Sequence, residues 1–254
     1  IQLTNCYDAT GRLIQERASP MPQADRITEN VAGVRERIAA AAAASGRSAD
    51  DVTLVAVTKY VGPNVIRAVV GAGCTRLGES RPQQLWSRAA EIDDLRVEWH
   101  LIGHLQRNKV QRTLPLGAMI QSVDSLRLAA AINEAAAVSG RITPILLEVH
   151  ISDDASKHGF EPDELDRTLQ DLAGLEHVRI GGLMCMAGLE GGLAGAQRDF
   201  AALRRLRDRL RANCPPQIDL RELSMGMSGD YEVAIREGAT IVRVGSALFE
   251  GVVE

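Results

Sequence analysis

The sequence predicts an α/β fold, a single-domain (β/α)8 TIM barrel, and three observations lead to it. Short apolar runs alternate with amphipathic stretches about eight times between residues 52 and 246. The apolar runs are continuous, as parallel strands buried on both faces require. The alternation fills roughly 200 residues, the size of such a barrel. An open doubly wound sheet would share the pattern, but no Gly-rich dinucleotide fingerprint follows the first strand.

Each element follows from its local chemistry. Residues 1–25 read as an appendage to the barrel of residues 26–254, because ASPMPQAD (18–25) is rich in helix breakers. A helical pattern runs from Ile27 to Ala44 and stops at Ser45-Gly46. VTLVAVTK (52–59) is the first strand, followed by a helix over 64–73. CTRLGES (74–80) is the second, and PQQLWSRAAEI (82–92) a helix with proline in its first turn, where the missing N–H would be unpaired anyway. RVEWHLIG (96–103) is the third strand, with a short helix from Gln106 to Arg112. GAMIQSV (117–123) is the fourth, and Asp124 or Ser125 caps the helix running to Val138. TPILLEVHI (143–151) precedes a helix over 162–175, and VRIGGLM (178–184) precedes one from Ala194 to Ala212. IDLRELS (218–224), a helix over 230–238 and TIVRVGS (240–246) complete the set.

Composition narrows the function. The 254 residues are 45% hydrophobic and 24% charged, an ordinary globular balance. The net charge of −4 and the lack of a basic stripe with interleaved aromatics argue against nucleic acid. Arg204, Arg205, Arg207, Arg209 and Arg211 interleave with Leu203, Leu206 and Leu210 at helical spacing, which reads as a solvated helix face. No apolar run reaches the roughly 18 residues of a membrane span, and no signal-peptide pattern opens the chain. Cys6, Cys74, Cys185 and Cys214 are scattered without C-x-x-C or metal-ligand spacing, which suits a reducing compartment; a cytoplasmic protein without a metal is expected.

In such a barrel the chemistry sits at the C-terminal strand ends. Lys59 ends the first strand, where a charge is out of place in an apolar run. Glu79 and Ser80 end the second, Gly103-His104 the third, Ser122 the fourth, His150 the fifth and Met184 the sixth. SMGMSGD (224–230) and RVGS (243–246) follow at the seventh and eighth, the usual phosphate position. Gly226, Ser228, Gly229, Gly245 and Ser246 there offer backbone N–H groups and hydroxyls to an anion; a plain helix cap with turn glycines would read alike. Beside such a site Lys59 has three readings: a snorkelling strand terminus, a counter-charge for phosphate, or an amine forming a Schiff base with a phosphorylated aldehyde.

Spacing alone does not choose between the last two readings, but motifs follow one another along the chain: AVTK (56–59), GES (78–80), WHLIGHLQRNK (99–109), SVDS (122–125), KHGF (157–160), GLMCM (182–186), SMGMS (224–228) and VRVGSALFEG (242–251). Over residues 26–251 the chain resembles the pyridoxal phosphate homeostasis protein family, built like the N-terminal barrel of alanine racemase. The resemblance implies a pyridoxal 5′-phosphate (PLP) barrel of fold type III, with PLP held as a Schiff base on Lys59. It implies that Ser228, Gly245 and Ser246 hold the phosphate, with Gly226 and Met227 in the same loop, and that Arg243 faces the pyridine nitrogen. An arginine there leaves the ring unprotonated and weakens it as an electron sink. Many relatives read GENYVQE where this chain reads GESRPQQ, so Ser80 and Arg81 are departures, and Ser80 still offers a hydrogen bond.

The resemblance implies intracellular PLP homeostasis without a defined turnover reaction, PLP-dependent apoenzymes as recipients, and a monomer. A PLP-dependent amino-acid racemase is the competing expectation. Racemisation needs a base on each face of the cofactor. Alanine racemase would take its second, a tyrosine, from a β-rich domain, which is not expected here. Of Tyr7, Tyr60 and Tyr231, strand alternation turns Tyr60 away from Lys59, Tyr231 is expected to pack, and Tyr7 lies in the appendage. His104 and His158 are expected at the rim, and His100 as a structural partner within its strand.

Overall fold

The computed structural model describes residues 3–7, 13–17, 22–152, 158–188 and 190–252. Two strands precede the barrel, β1 (Leu3–Tyr7) and β2 (Leu13–Arg17), paired antiparallel with Leu3 opposite Arg17 and Tyr7 opposite Leu13. The sequence reading placed no strand in this appendage, because five residues carry too little period-2 signal. Helix α1 (Gln23–Ala44) starts ahead of its expected first residue. Its buried Ile27, Val31, Val34, Ile38 and Ala41 recur every three or four positions, the stripe that a helix lying on a core needs.

Eight strands follow and close on themselves, each of the first seven followed by an α-helix and the last by a 3-10 turn. The strands are β3 (Thr53–Val57), β4 (Arg76–Glu79), β5 (Glu98–Leu101), β6 (Met119–Val123), β7 (Thr143–Glu148), β8 (Val178–Met184), β9 (Glu222–Ser224) and β10 (Ile241–Val244). All pair in parallel, and β10 joins β3 to shut the barrel. The helices outside are α2 (Pro63–Gly71), α3 (Pro82–Glu91), α4 (Val110–Thr113), α5 (Leu126–Val138), α6 (Leu165–Leu172), α7 (Gly192–Arg211) and α8 (Tyr231–Arg236). Prolines open α2 and α3, and the Ser125 hydroxyl caps α5 by accepting from Leu128 N. Helix α1 packs against α2 and α8 and so covers the seam where β10 meets β3.

Seven of the eight barrel strands are shorter than expected, β8 matching its expected range, and two of the differences bear on the site. Strand β3 stops at Val57, leaving Lys59 in the turn beyond it. Strand β9 holds only Glu222–Ser224; Ile218 and Leu220 are buried but precede the ladder, after a turn closed by Ile218 N donating to Pro215 O.

Side chains alternate between two cores. Outward residues such as Ala56, Leu77, Trp99, Leu101, Ile120 and Leu223 pack under the helices with Phe200 of α7. Each fully buried aliphatic or aromatic side chain there contributes about 1.5–3 kcal/mol. Inside the barrel a separate apolar cluster of Val55, Leu146, Met184 and Ile241 is joined by polar His100, Gln121, Ser224 and Arg243, all buried.

Candidate functional site at the C-terminal mouth

The loops after β9 and β10 are stitched to each other. The Ser228 Oγ accepts from Gly245 N at 3.0 Å and from Ala247 N at 3.5 Å, and Arg243 N donates to Gly226 O at 3.0 Å. Ser228 therefore bridges two loops and does not cap α8; Asp230 serves that turn, its Oδ1 accepting from Met227 N at 2.6 Å. Gly226 adopts φ +92°, and a Cβ on it would lie 2.6 Å from Ala234 Cβ and 2.9 Å from Tyr231 Cα. Its glycine is thus dictated by close packing of the loop on α8. Met227 is partly exposed beside it. A cavity of about 430 Å³ opens at this junction, lined by Ser228, Gly229, Ser246 and Ala247 together with Arg37 of α1. Arg37 escaped the sequence reading because that reading scanned only strand ends, and Arg37 reaches the junction from the helix preceding the first barrel strand.

Arg243 points into the barrel and is 3% exposed. Its Nη1 donates to Ser224 Oγ at 2.6 Å and its Nη2 to Cys185 O at 2.9 Å. Burial pushes this guanidinium below its ordinary pKa, while Cys185, Glu148 and Asp230 push it back up.

Lys59 stands on the neighbouring unit, since β3 pairs with β10 on one side and β4 on the other. The turn is pinned by Gln84 Nε2 donating to Lys59 O at 3.0 Å. The Lys59 Nζ lies 4.7 Å from the centroid of the Tyr60 ring, a cation–π contact. Strand alternation therefore does not separate the two residues, because the strand has already ended; Tyr60 itself is 84% exposed. Beneath Lys59, Thr58 donates to Glu79 Oε1 at 2.7 Å, both residues fully buried. Glu79 Oε2 finds no hydrogen-bond partner among the described residues. Burial pushes the Glu79 carboxyl above its ordinary pKa, against the Thr58 hydrogen bond and the positive charges of Arg88 and Lys59. Ser80 follows at the end of β4, its carbonyl so close to Gly103 that a Cβ there would lie 2.3 Å from it.

The histidines divide as expected in part. His104 is exposed at the rim, bonded through Nδ1 to Asp124 at 2.9 Å and stacked on His158 with ring centroids 5.2 Å apart. His100 faces the barrel interior, where burial drives its pKa down to about 4 against the pull of Glu98. No cluster able to hold a metal ion occurs among the described residues, and no described helix is long and apolar enough to cross a membrane.

Comparison with known proteins matches the geometry to a lineage. Residues 24–252 match the family model described as alanine racemase, N-terminal domain. Proteins named pyridoxal phosphate homeostasis protein are similar throughout. The one from Aquifex aeolicus is 37% identical over 221 residues, 87% of this chain and 96% of its own. The one from Deinococcus radiodurans is 39% identical over 222 residues, 86% of this chain and 97% of its own. Among solved structures, PipY of Synechococcus elongatus PCC7942, with PLP bound, superposes with TM-score 0.78 at 36% identity, covering 88% of this chain and 99% of that one. The alanine racemase of Clostridium difficile 630, 15% identical with TM-score 0.69, shares the fold. The chain therefore belongs to the alanine racemase N-terminal domain family and, within it, to the pyridoxal phosphate homeostasis proteins.

Proposed function

We propose that this protein holds PLP reversibly at the C-terminal mouth and serves PLP homeostasis as a carrier without a defined turnover reaction. The observation that carries this reading is convergence. Lys59, Arg243, Ser228, Gly245, Ser246 and Ser80 come from the ends of four adjacent strands, β9, β10, β3 and β4.

The residues fit the group. Two hydroxyls, of Ser228 and Ser246, and Gly229 line a cavity roomy enough for a phosphate, with Arg37 at its wall as a counter-charge. Gly226 and Met227 shape that loop. Arg243 presents a donor-only cation, which cannot hand a proton to a ring nitrogen. Glu79 Oε2, without a hydrogen-bond partner among the described residues, is a buried acceptor near Lys59 suited to a proton from the lysine ammonium. Bound PLP would supply an aldehyde that a primary amine captures, and Lys59 is the amine at this mouth. The names of the relatives, and PLP in the PipY structure, support the same reading. PLP-dependent apoenzymes are the recipients this role requires, and the chain acts as a cytoplasmic monomer.

The test is the visible absorption spectrum of protein incubated with PLP, followed by borohydride reduction and peptide mapping. A pyridoxyl group is expected on Lys59 and none in Lys59→Ala. A colourless protein that takes up no PLP would return Lys59 to a counter-charge for some other phosphate. An amino-acid racemisation assay on the loaded protein tests the carrier reading directly; turnover above background would favour a racemase.

A further inference from the structure

Four buried polar side chains cross the barrel in one line. Arg243 donates to Ser224 Oγ at 2.6 Å, Ser224 donates to Gln121 Oε1 at 2.6 Å, and Gln121 Nε2 meets His100 Nδ1 at 2.7 Å. The strands involved are β10, β9, β6 and β5. Strands β9 and β6 are not neighbours, so the Ser224–Gln121 bond spans the interior. Direction is fixed from one end. A guanidinium can only donate, so the serine oxygen receives there and its own proton goes on to the glutamine carbonyl. The glutamine amide must then donate, and His100 Nδ1 must accept. That leaves the imidazole neutral, with its proton on Nε2. The low pKa of His100 agrees with a neutral ring.

The far end meets a cavity. His100 also lines a cavity of about 430 Å³ at the opposite mouth, with Thr53, Arg76, Glu98, Met119 and Glu222. Beyond it the line is sealed, since Gln121 and Ser224 are fully buried. Arg243 is thus held by Cys185 O on one side and by a polarised line on the other, each bond oriented by the next.

We propose that Gln121 and His100 are positioning residues for Arg243: through Ser224 they fix the guanidinium that faces the cofactor ring. This rests on the PLP reading above. Neither residue touches the mouth where PLP would sit, so a purely structural role would change stability and leave the spectrum of bound PLP alone.

The first measurement is ¹⁵N NMR of His100 in the protein without PLP. A neutral ring protonated at Nε2 is expected; a proton on Nδ1 overturns the proposal. The second measurement compares His100→Leu, His100→Gln and Gln121→Leu by PLP titration and absorption. His100→Leu and Gln121→Leu are expected to shift the long-wavelength band and weaken PLP binding about tenfold, the worth of one buried hydrogen-bonded link. His100→Gln keeps an acceptor for Gln121 and is expected to restore both. Leu variants that bind PLP with the parent spectrum and affinity overturn the positioning role. A parent chain that takes up no PLP sinks the cofactor reading, and this inference with it.

Discussion

Lys59 could be found because its chemistry contradicts its setting: an ammonium at the end of an apolar strand needs a reason. Glu79 is the less obvious residue beside it. Its carboxyl is buried with one oxygen unpartnered among the described residues, so ionisation there is costly. Its pKa is raised in the fold, so folding favours the protonated form. The stability this lends is complete below the unfolded pKa of about 4.3 and is lost as pH rises through the folded value. Glu79→Gln keeps an acceptor for Thr58 and cannot ionise. Its stability relative to the parent should therefore climb from pH 4 to pH 7, read by urea unfolding at each pH; a constant difference would mean that Glu79 carries no proton-linked strain. Gln121 illustrates what the sequence conceals. Inside MIQSV it looks like one polar residue tolerated in a strand, and its partner Ser224 lies 103 positions away across the barrel. Nothing local announces such a bond, whereas the glycines and serines after β9 and β10 announce themselves by composition.

Strands and helices were readable wherever length or punctuation reinforced the pattern. The proline opening α3 and the serine capping α5 mark boundaries by a mechanism, a missing N–H or a side-chain acceptor, whereas Pro63, which opens α2, lies one residue ahead of the helix expected from 64. Ser125→Ala should accordingly cost about 1 kcal/mol in urea unfolding. The hairpin β1–β2 and the three-residue β9 were poorly read because so few residues give no period, and β9 is fixed by its neighbours β8 and β10. The loop joining β9 to α8 makes the sharper prediction. Gly226 combines a left-handed φ with a path pressed against Ala234 and Tyr231. Gly226→Ala adds roughly 1–2 kcal/mol of backbone strain and a contact that only backbone movement can relieve, so a loss of about 3 kcal/mol is expected. Gly229, three residues on, has open space around its Cβ position and no positive φ. Gly229→Ala should change stability by less than about 1 kcal/mol. Equal losses in the two variants would show that the loop does not pack on α8 as described.

The closed barrel turns one interior residue into a pH limit for the entire chain. A polar line through a core is tolerable only when every member is satisfied, and here satisfaction requires His100 to stay neutral. Burial holds its pKa near 4, with Glu98 pulling up and Arg76 pushing down, while in the unfolded chain it returns to about 6.5. The folded state thus binds this proton less readily than the unfolded state. The stability involved is fully present above pH 6.5 and drains away as pH falls toward the folded value. A shift of this size is worth about 3 kcal/mol between pH 7 and pH 4, a large share of the 5–15 kcal/mol that holds a typical domain together. His100→Gln keeps the acceptor and removes the titration. Urea unfolding at pH 7 and pH 4.5 should show the parent losing roughly 2–3 kcal/mol more than the variant over that interval. If the two lose stability in parallel, His100 is not the group that takes up the proton, and the line from Arg243 does not end where the hydrogen bonds place it.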